Sequence, residues 1–244
     1  MKYCGAGPRG WPVVFAAGIY GSASTWVYNA IRLLFEQIPT LCPVHAGFAD
    51  ALAEFPEPLI SPGSMVIKTH QPDNAMLLFA RATSALVVLT VRDPRDAVAS
   101  MVQRFNQQAD DSVPSMVMCA KRLALLAAMT RVLVLRYEDA SNRSAETVQR
   151  IASFLDLVVA PTSVSAIADS LMPDKVAADI AGMVKRGILG ETPDISASDA
   201  VTQWHAGHLG DGRTGKWKEV LSERQAEKLI ASLRSFCETY GYPY

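Results

Sequence analysis

Two side chains that could take part in proton transfer and charge stabilisation lie close together in the sequence, at Lys68 and His70. The short apolar stretch before them predicts a strand, and residues two apart on a strand point to the same side. The ordinary pKa of histidine lies near neutrality, so His70 is suited to take a proton from a hydroxyl group. Lys68 would add a positive charge that stabilises negative oxygens. The alternative is a hydrogen-bonded loop histidine beside a surface lysine.

A stretch of small residues, Gly18–Thr25, separates the apolar run Val13–Ala17 from a segment with apolar residues at helical spacing. The first backbone N–H groups of a helix lack partners, and the helix dipole favours negative charge there. Small residues let the backbone wrap a phosphate, and three hydroxyl groups add donors, at Ser22, Ser24 and Thr25. The alternative is an ordinary strand–loop–helix connection in which Ser24 or Thr25 caps the helix. The stretch matches neither G-x-x-x-x-G-K-[ST] nor G-x-G-x-x-G, so it does not by itself indicate an NTPase or a dinucleotide fold.

Arg92 directly follows Ala85–Val91, which is the strongest predicted strand of the chain. Its planar guanidinium group can donate a fork of hydrogen bonds to phosphate oxygens. The alternative is an ordinary ion pair with Asp96 or Glu138. Arg92 is therefore a second candidate for an anion site.

The elements that must position these residues alternate between strands and helices. Four apolar runs predict strands, at Val13–Ala17, Met65–Lys68, Ala85–Val91 and Val132–Leu135. Helical spacing predicts helices between and after them, including Val113–Thr130, Glu146–Leu155 and one that Asp93 caps with Pro94 at its first position. We also expect a short helix over His45–Phe55 and a last helix from the capping box at Ser222 to about Tyr240.

This alternation predicts an α/β fold, with a central parallel sheet of about four or five strands flanked by helices. Ligands of such sheets bind at the carboxyl ends of the strands. The candidate segments all follow predicted strands, namely Gly18–Thr25, Lys68–His70, Arg92 and Tyr137. We therefore expect one site that brings them together.

Composition narrows the class of protein. The 244 residues suit a single domain over residues 1–244, and 50% hydrophobic with 19% charged residues is typical of a globular chain. A net charge of −1 gives a nucleic-acid partner no electrostatic support. No apolar run approaches 18 residues, so we expect no membrane anchor and a cytoplasmic protein. The start faintly resembles a signal peptide, but its removal would delete the first strand.

Cysteine and histidine spacing gives no metal motif. The four cysteines, Cys4, Cys42, Cys119 and Cys237, are scattered, which is typical of reduced thiols. His205 and His208 are three residues apart, but no further ligand follows at a recognisable spacing. We expect no metal, and loop positions for both histidines.

Five segments, in the same order along the chain, resemble motifs of the sulfotransferases that use 3′-phosphoadenosine 5′-phosphosulfate (PAPS). Tyr20–Trp26 is similar to the family's 5′-phosphosulfate loop, P-K-S-G-T-T-W. The resemblance implies a P-loop-NTPase-like fold in which this loop binds PAPS through Gly21, Ser22, Ala23, Ser24, Thr25 and Trp26. Ile67–Pro72 resembles the family's K-T-H-x-P segment, which implies that His70 is the catalytic base and that Lys68 lies near the sulfuryl group.

The other three segments concern the nucleotide. Val91–Ser100 resembles the 3′-phosphate motif R-[DN]-P-[RK]-D-x-x-x-S, which implies that Arg92 and Ser100 hold the 3′-phosphate. Tyr137 begins a Y-E-D segment whose tyrosine lies on the adenine side in the family. The segment Gly212–Lys218 resembles the glycine-rich G-x-x-G-x-W-[KR], which closes over the nucleotide and implies contacts from Arg213, Thr214 and Gly215. Trp26 and Trp217 are candidates either to stack on adenine or to fill the core.

The chain departs from the family pattern at two places. The loop lysine that neutralises the leaving phosphate is Gly21 here, and the loop glycine is Ala23. Lys68 and Lys216 are the candidates to replace that lysine. The Arg-Lys pair before the late glycine segment reads Gly210-Asp211, and Arg213 is the candidate to replace its contact with the 3′-phosphate.

The resemblance implies transfer of a sulfuryl group from PAPS to a hydroxyl or amine of a small-molecule acceptor, with 3′,5′-adenosine bisphosphate as product. We expect the acceptor walls within Leu41–Pro62 and Met172–Ala200; the sequence leaves open whether the protein is a homodimer. Two alternatives stay open. Gly21 favours a nucleotide-binding module without catalysis, and a kinase of P-loop type is disfavoured by the missing lysine and the lack of a recognisable Mg²⁺-binding aspartate.

Overall fold

Five parallel strands form one sheet in the order β2-β3-β1-β4-β5 in a computed structural model, which describes residues 11–55, 61–105, 107–139, 143–192 and 197–244. The strands are β1 (Val13–Gly18), β2 (Val44–Phe48), β3 (Ser64–Thr69), β4 (Leu86–Val91) and β5 (Arg131–Arg136). The neighbours of β1 are β3 and β4, so it lies at the centre and every one of its residues is buried. The predicted α/β fold with a parallel sheet is confirmed.

Ten α-helices and two short 3-10 helices, Pro39–Leu41 and Leu52–Glu54, lie around the sheet in the described ranges. The α-helices are α1 (Ser24–Glu36), α2 (Asn74–Ala82), α3 (Pro94–Phe105), α4 (Ala109–Met129), α5 (Ala145–Phe154), α6 (Pro161–Ser170), α7 (Pro173–Lys185), α8 (Trp217–Val220), α9 (Glu223–Ser232) and α10 (Arg234–Tyr240). Residues of β1 alternate between two apolar clusters. Val13, Phe15 and Ala17 pack with α2, α3, α4, α9 and α10, whereas Val14 and Ala16 pack with α1, α5, α6 and α7. The helices cover both faces of the sheet, so the carboxyl ends of the strands stay uncovered.

Helix α4 is long and apolar enough to cross a membrane by length and composition, and it is the one such helix in the part of the chain that the structure describes. Its inward side chains, Met116, Cys119, Leu123 and Leu126, lie in the core cluster around β1. The same composition is typical of a core helix in an α/β protein.

Two predicted elements differ from the structure. The helix predicted over His45–Phe55 is wrong in its first half, where Val44–Phe48 pairs with Ser64–Lys68 as an edge strand. A short 3-10 helix, Leu52–Glu54, occupies part of the second half. Pairing satisfies the backbone groups of β3 that would otherwise be left unbonded, and that tertiary requirement outweighs the local helical spacing. The last helix begins at the predicted Ser222 capping box but is divided at Leu233, whose φ of −118° leaves the helical region.

Candidate active site

The carboxyl ends of β1, β3, β4 and β5 open into one cavity of about 930 Å³. Ten of the predicted site residues line it, namely Gly21, Ala23, Ser24, Thr25, Trp26, Lys68, His70, Arg92, Ser100 and Tyr137. Ser22, Arg213, Thr214 and Gly215 are not among its lining residues. The structure therefore brings together the predicted loop, base and arginine, and leaves most of the late glycine segment outside.

The loop after β1 leads into α1, whose N-terminus lies at the cavity and has no side-chain cap. The residue that precedes α1 is Ala23, which adopts the left-handed conformation with φ 69° and has no side-chain hydrogen bond to the helix. The alternative in which Ser24 or Thr25 caps α1 is therefore wrong. Within the described chain no hydrogen bond uses the backbone N–H groups of Ala23, Ser24 or Thr25. These free donors, together with the positive end of the helix dipole, suit a phosphate group.

The Ser22 side chain links this loop to the sheet and does not line the cavity. Its hydroxyl donates to the backbone oxygen of Ile19 at 2.6 Å and lies 2.7 Å from the hydroxyl of Thr90 on β4. Gly18 leaves room for these groups, because a Cβ there would collide with the Thr90 hydroxyl. The Ser22 side chain therefore fixes the loop to the sheet, and of the three hydroxyl residues Ser22, Ser24 and Thr25, the last two line the cavity.

The left-handed Ala23 makes a stability test possible. We expect Ala23→Gly to raise the free energy of unfolding by about 0.5–1 kcal/mol, since relief of the strained backbone exceeds the entropy that glycine adds to the unfolded chain. Urea unfolding measures this change. As a control, Ala30→Gly in the interior of α1 should lower the same free energy by about 1 kcal/mol or more. A destabilised Ala23→Gly protein would contradict the left-handed conformation.

A hydrogen bond to the backbone fixes the tautomer of His70. Its Nδ1 lies 2.6 Å from the backbone oxygen of Gly18, and because that oxygen can only accept, Nδ1 carries the hydrogen. The lone pair is then on Nε2. Burial and the nearby charge of Lys68 lower the pKa of His70 to about 4, so the ring is neutral near pH 7. The ring of Tyr20 packs against it with centroids 4.5 Å apart.

Asp50 positions the segment that carries His70, and sequence reasoning missed it. Its Oδ1 accepts three hydrogen bonds of 2.7 Å, from the hydroxyl of Thr69 and from the backbone N–H groups of His70 and Gln71. Asp50 follows β2 and lies 20 residues before His70. No local signal links the two, because the contact depends on the pairing of β2 with β3.

Lys68 lies on β3 and lines the same cavity as His70. Its Nζ is 5.2 Å from the centroid of the Phe48 ring, which shields it from water. Burial lowers the pKa of Lys68 to about 8, against the opposing effect of the Asp50 carboxylate. Lys68 is therefore mostly cationic near pH 7 and loses its charge at a lower pH than an exposed lysine does.

Arg92 ties the loop after β1 to the late glycine segment. It donates to the backbone oxygens of Gly21 at 3.0 Å and Arg213 at 2.8 Å, and its guanidinium carbon lies 3.8 Å from the centroid of the Tyr137 ring. The alternative of an ion pair with Asp96 or Glu138 is not what the structure contains. Arg92 is 2% exposed. Its Nε is buried and, among the described residues, has no hydrogen-bond partner.

The late glycine segment is fixed by Asp96 of α3, whose carboxylate accepts from the backbone N–H groups of Gly215 at 2.6 Å and Trp217 at 3.0 Å. The Arg213 side chain points to solvent, where it pairs with Asp211 and Glu219. In this structure Arg213 contributes its backbone oxygen to Arg92, and Thr214 and Gly215 do not line the cavity. The member of the segment's second half that does line it is Lys216.

Two further arginines of the cavity, Arg104 and Arg143, were missed from the sequence. Arg104 follows Ser100 by four residues on α3, so both point to the same face of the helix. The four-residue spacing from Ser100 is the sequence signal that could have identified Arg104.

His205 and His208 also line the cavity, and their ring centroids are 4.7 Å apart. Within the described ranges no group of three or more His, Cys, Asp or Glu side chains could hold a metal ion.

A central strand leads through a small-residue loop into an uncapped helix, and cationic residues lie at the ends of the neighbouring strands. This arrangement is typical of a P-loop-like α/β fold. Residues 58–235 match the family described as the sulfotransferase domain. The chain therefore belongs to the sulfotransferase family. This confirms the predicted family and enzyme class; the match begins after the loop that follows β1.

Solved structures share this fold. Mouse sulfotransferase SULT7A1, complexed with PAP, is 14% identical with a TM-score of 0.64, over 93% of this chain and 84% of that chain. Retinol dehydratase in complex with androsterone and the inactive cofactor PAP is 16% identical with a TM-score of 0.66, over 95% of this chain and 82% of that chain. A second structure of retinol dehydratase, with retinol and PAP, is 16% identical with a TM-score of 0.63, over 95% and 83%. A search of curated protein sequences finds no significant match.

Proposed function

We propose that this protein transfers a sulfuryl group from PAPS to a hydroxyl or amine of a small-molecule acceptor, with His70 as the general base. The observation that carries the proposal is the hydrogen bond from His70 Nδ1 to Gly18, which leaves Nε2 as a neutral base in the cavity. Lys68 lies on β3, the strand that ends directly before His70, and the phosphate-binding loop follows the neighbouring strand β1. A base, a cation and an anion-binding helix terminus are what sulfuryl transfer from a phosphosulfate requires.

The residues present suit a nucleotide that carries several negative charges. The backbone donors of Ala23, Ser24 and Thr25 suit its 5′ end, and Arg92 suits a second phosphate. The indole Nε1 of Trp26 is buried and, like Arg92 Nε, has no hydrogen-bond partner among the described residues, so each can donate to a ligand. Mouse SULT7A1 and retinol dehydratase, which share the fold, were each crystallised with PAP.

PAPS supplies the sulfuryl group, which leaves its phosphate oxygen and forms a bond to the acceptor oxygen or nitrogen. His70 Nε2 takes the proton that the acceptor loses, and Lys68 stabilises the negative charge that develops on the reacting oxygens. The leaving phosphate keeps the bonding electron pair, and the product is 3′,5′-adenosine bisphosphate (PAP). Since Gly21 has no side chain, Lys68 is the cation that we assign to this end of the nucleotide.

The acceptor is inferred to be a small molecule with an apolar part. Phe48, Pro173 and Val176 give the cavity an apolar wall, and they belong to the two stretches that the sequence assigned to the acceptor. Residues 56–60 and 193–196 of those stretches lie outside the described residues. Retinol dehydratase, one of the proteins of similar fold, binds retinol and androsterone.

Thermal melting with three nucleotides, PAP, 5′-AMP and ATP with Mg²⁺, tests the proposal. PAP at about 100 times its dissociation constant should stabilise the protein by about 2.7 kcal/mol and raise Tm by a few degrees, whereas 5′-AMP should do so at higher concentration. PAPS with a panel of alcohols, phenols and amines then tests transfer. A shift with ATP and Mg²⁺ alone would support a kinase instead. Binding of PAP without transfer to any acceptor would support the non-catalytic module that Gly21 favours.

A further inference from the structure

The cavity contains more buried positive charge than the described residues neutralise. Neither Arg92 nor Arg104 forms an ion pair with a carboxylate in the described ranges. Burial and the charge of Arg92 lower the pKa of Arg104 to about 10. Arg104 donates from Nε to the backbone oxygen of Gly207 at 3.0 Å, which fixes its orientation but leaves its charge uncompensated. A buried guanidinium group, that of Arg92, beside the partly buried one of Arg104 favours a bound anion.

The side chains of Arg104, Lys216 and Ser100 all approach Gly210. A methyl group placed on Gly210 would lie 3.5 Å from Arg104 Cδ, 3.9 Å from Lys216 Nζ and 3.9 Å from Ser100 Oγ. Gly210 therefore borders a space that one hydroxyl group and two cationic side chains share. A phosphate monoester has the oxygens to accept from all of them.

Lys216 is 3% exposed and carries an internal counterion. Its Nζ lies 3.1 Å from Oδ1 of Asp211, a side chain that is 37% exposed and that also pairs with Arg213. Asp211 thus lies at the rim of the cavity, and the cation lies inside it. A carboxylate in this position competes with any other anion for the same ammonium group.

We propose that Arg104 and Lys216, together with the Ser100 hydroxyl, bind the 3′-phosphate of the nucleotide, and that Asp211 is exchanged for that phosphate when the nucleotide binds. The inference rests on the proposed function and goes beyond it in assigning the cations. The sequence assigned the lost contact to Arg213, whereas the space beside Gly210 favours Arg104 and Lys216. These two side chains then decide whether the protein selects a nucleoside bisphosphate over a 5′-monophosphate.

Isothermal titration of PAP, its 2′,5′ isomer and 5′-AMP tests the assignment. Arg104→Gln and Lys216→Gln should each weaken PAP binding by about tenfold or more, and change 5′-AMP binding by less than about twofold. Asp211→Asn should strengthen PAP binding several-fold, because it removes the competing carboxylate. Lys218→Gln, an exposed lysine two residues from Lys216, is the matched control and should change no affinity by more than about twofold.

Several outcomes would overturn the assignment. Equal losses of PAP and 5′-AMP binding would place Arg104 and Lys216 outside a 3′-phosphate site, and an equal loss for PAP and its 2′,5′ isomer would do the same. A loss in Arg213→Gln, with none in Arg104→Gln, would assign the phosphate to Arg213. If Arg104→Gln does not fold, Arg104→Lys keeps the charge but loses the planar fork, and unchanged PAP affinity in it would argue against a guanidinium contact. Failure of the wild-type protein to bind PAP would instead overturn the proposed function.

Discussion

His70→Asn is expected to lower kcat for sulfuryl transfer by about 10²–10⁴-fold, because asparagine has no basic nitrogen to take the acceptor proton. The amide N–H of asparagine can still donate to the Gly18 oxygen that His70 Nδ1 bonds, so the loop should keep its shape. PAP affinity should therefore stay within about threefold of the wild type. Steady-state kinetics and titration of PAP on the same preparations measure the two effects separately.

Two other histidines provide the comparison for His70. His45 on the edge strand β2 bonds the backbone oxygen of Pro62 and does not line the cavity, so His45→Asn should leave kcat within about twofold. His208 does line the cavity, with burial and the charges of His205 and Arg104 holding its pKa well below the ordinary value. A large loss in His208→Asn with a normal rate in His70→Asn would move the base to His208.

Lys68→Met is expected to lower kcat by about 10²–10³-fold, since it removes a cation from a buried site where charge develops in the transition state. Methionine keeps most of the side-chain volume, so packing against Phe48 should persist. Matched melting curves of the two proteins check the fold. A kcat within about threefold of the wild type would show that the charge of Lys68 takes no part in transfer.

The pH dependence of kcat/KM follows from the same two side chains. Burial lowers the pKa of Lys68 to about 8, so the cation is present below that pH and is lost above it; the rate should therefore fall above about pH 8. His70, with its pKa lowered to about 4, stays a free base well below neutrality, so the rate should persist to about pH 6 or lower. The profile is measured with an aliphatic alcohol as acceptor, because such an alcohol does not titrate in this pH range. In Lys68→Arg the alkaline fall should move to higher pH, and an unmoved fall would contradict this origin.

Most of the site that could be predicted comes from segments in which neighbours along the chain decide the structure. Lys68 lies on β3 and His70 directly follows that strand, so both reach the cavity at its carboxyl end. Pro94 begins α3 soon after β4 because proline suits the first helical position. Parallel strands then bring their carboxyl ends to one edge, so Arg92 and Tyr137 could be placed in the same cavity as His70.

The residues that sequence reasoning missed act across distance in the chain. Asp50 holds the turn at His70 through the pairing of two strands, and no spacing between them records it. Arg213 lies in a segment that resembles a nucleotide contact, yet its charge is used by Asp211 and Glu219 at the surface. Whether the Arg213 side chain forms a surface ion pair or contacts a buried ligand depends on how distant segments pack around it.

By itself the sequence determined the α/β order of elements, the sulfotransferase family and the residues at the strand ends, because periodicity, capping and motif spacing are local properties. The tertiary structure alone decided which of those side chains face the cavity. It turned the Ser22 hydroxyl toward Thr90 and left the Arg213 guanidinium in solvent. It also gathered Arg104 and Lys216, 112 residues apart, around Gly210. Burial and charge are properties of packing, so they appear only when distant segments meet.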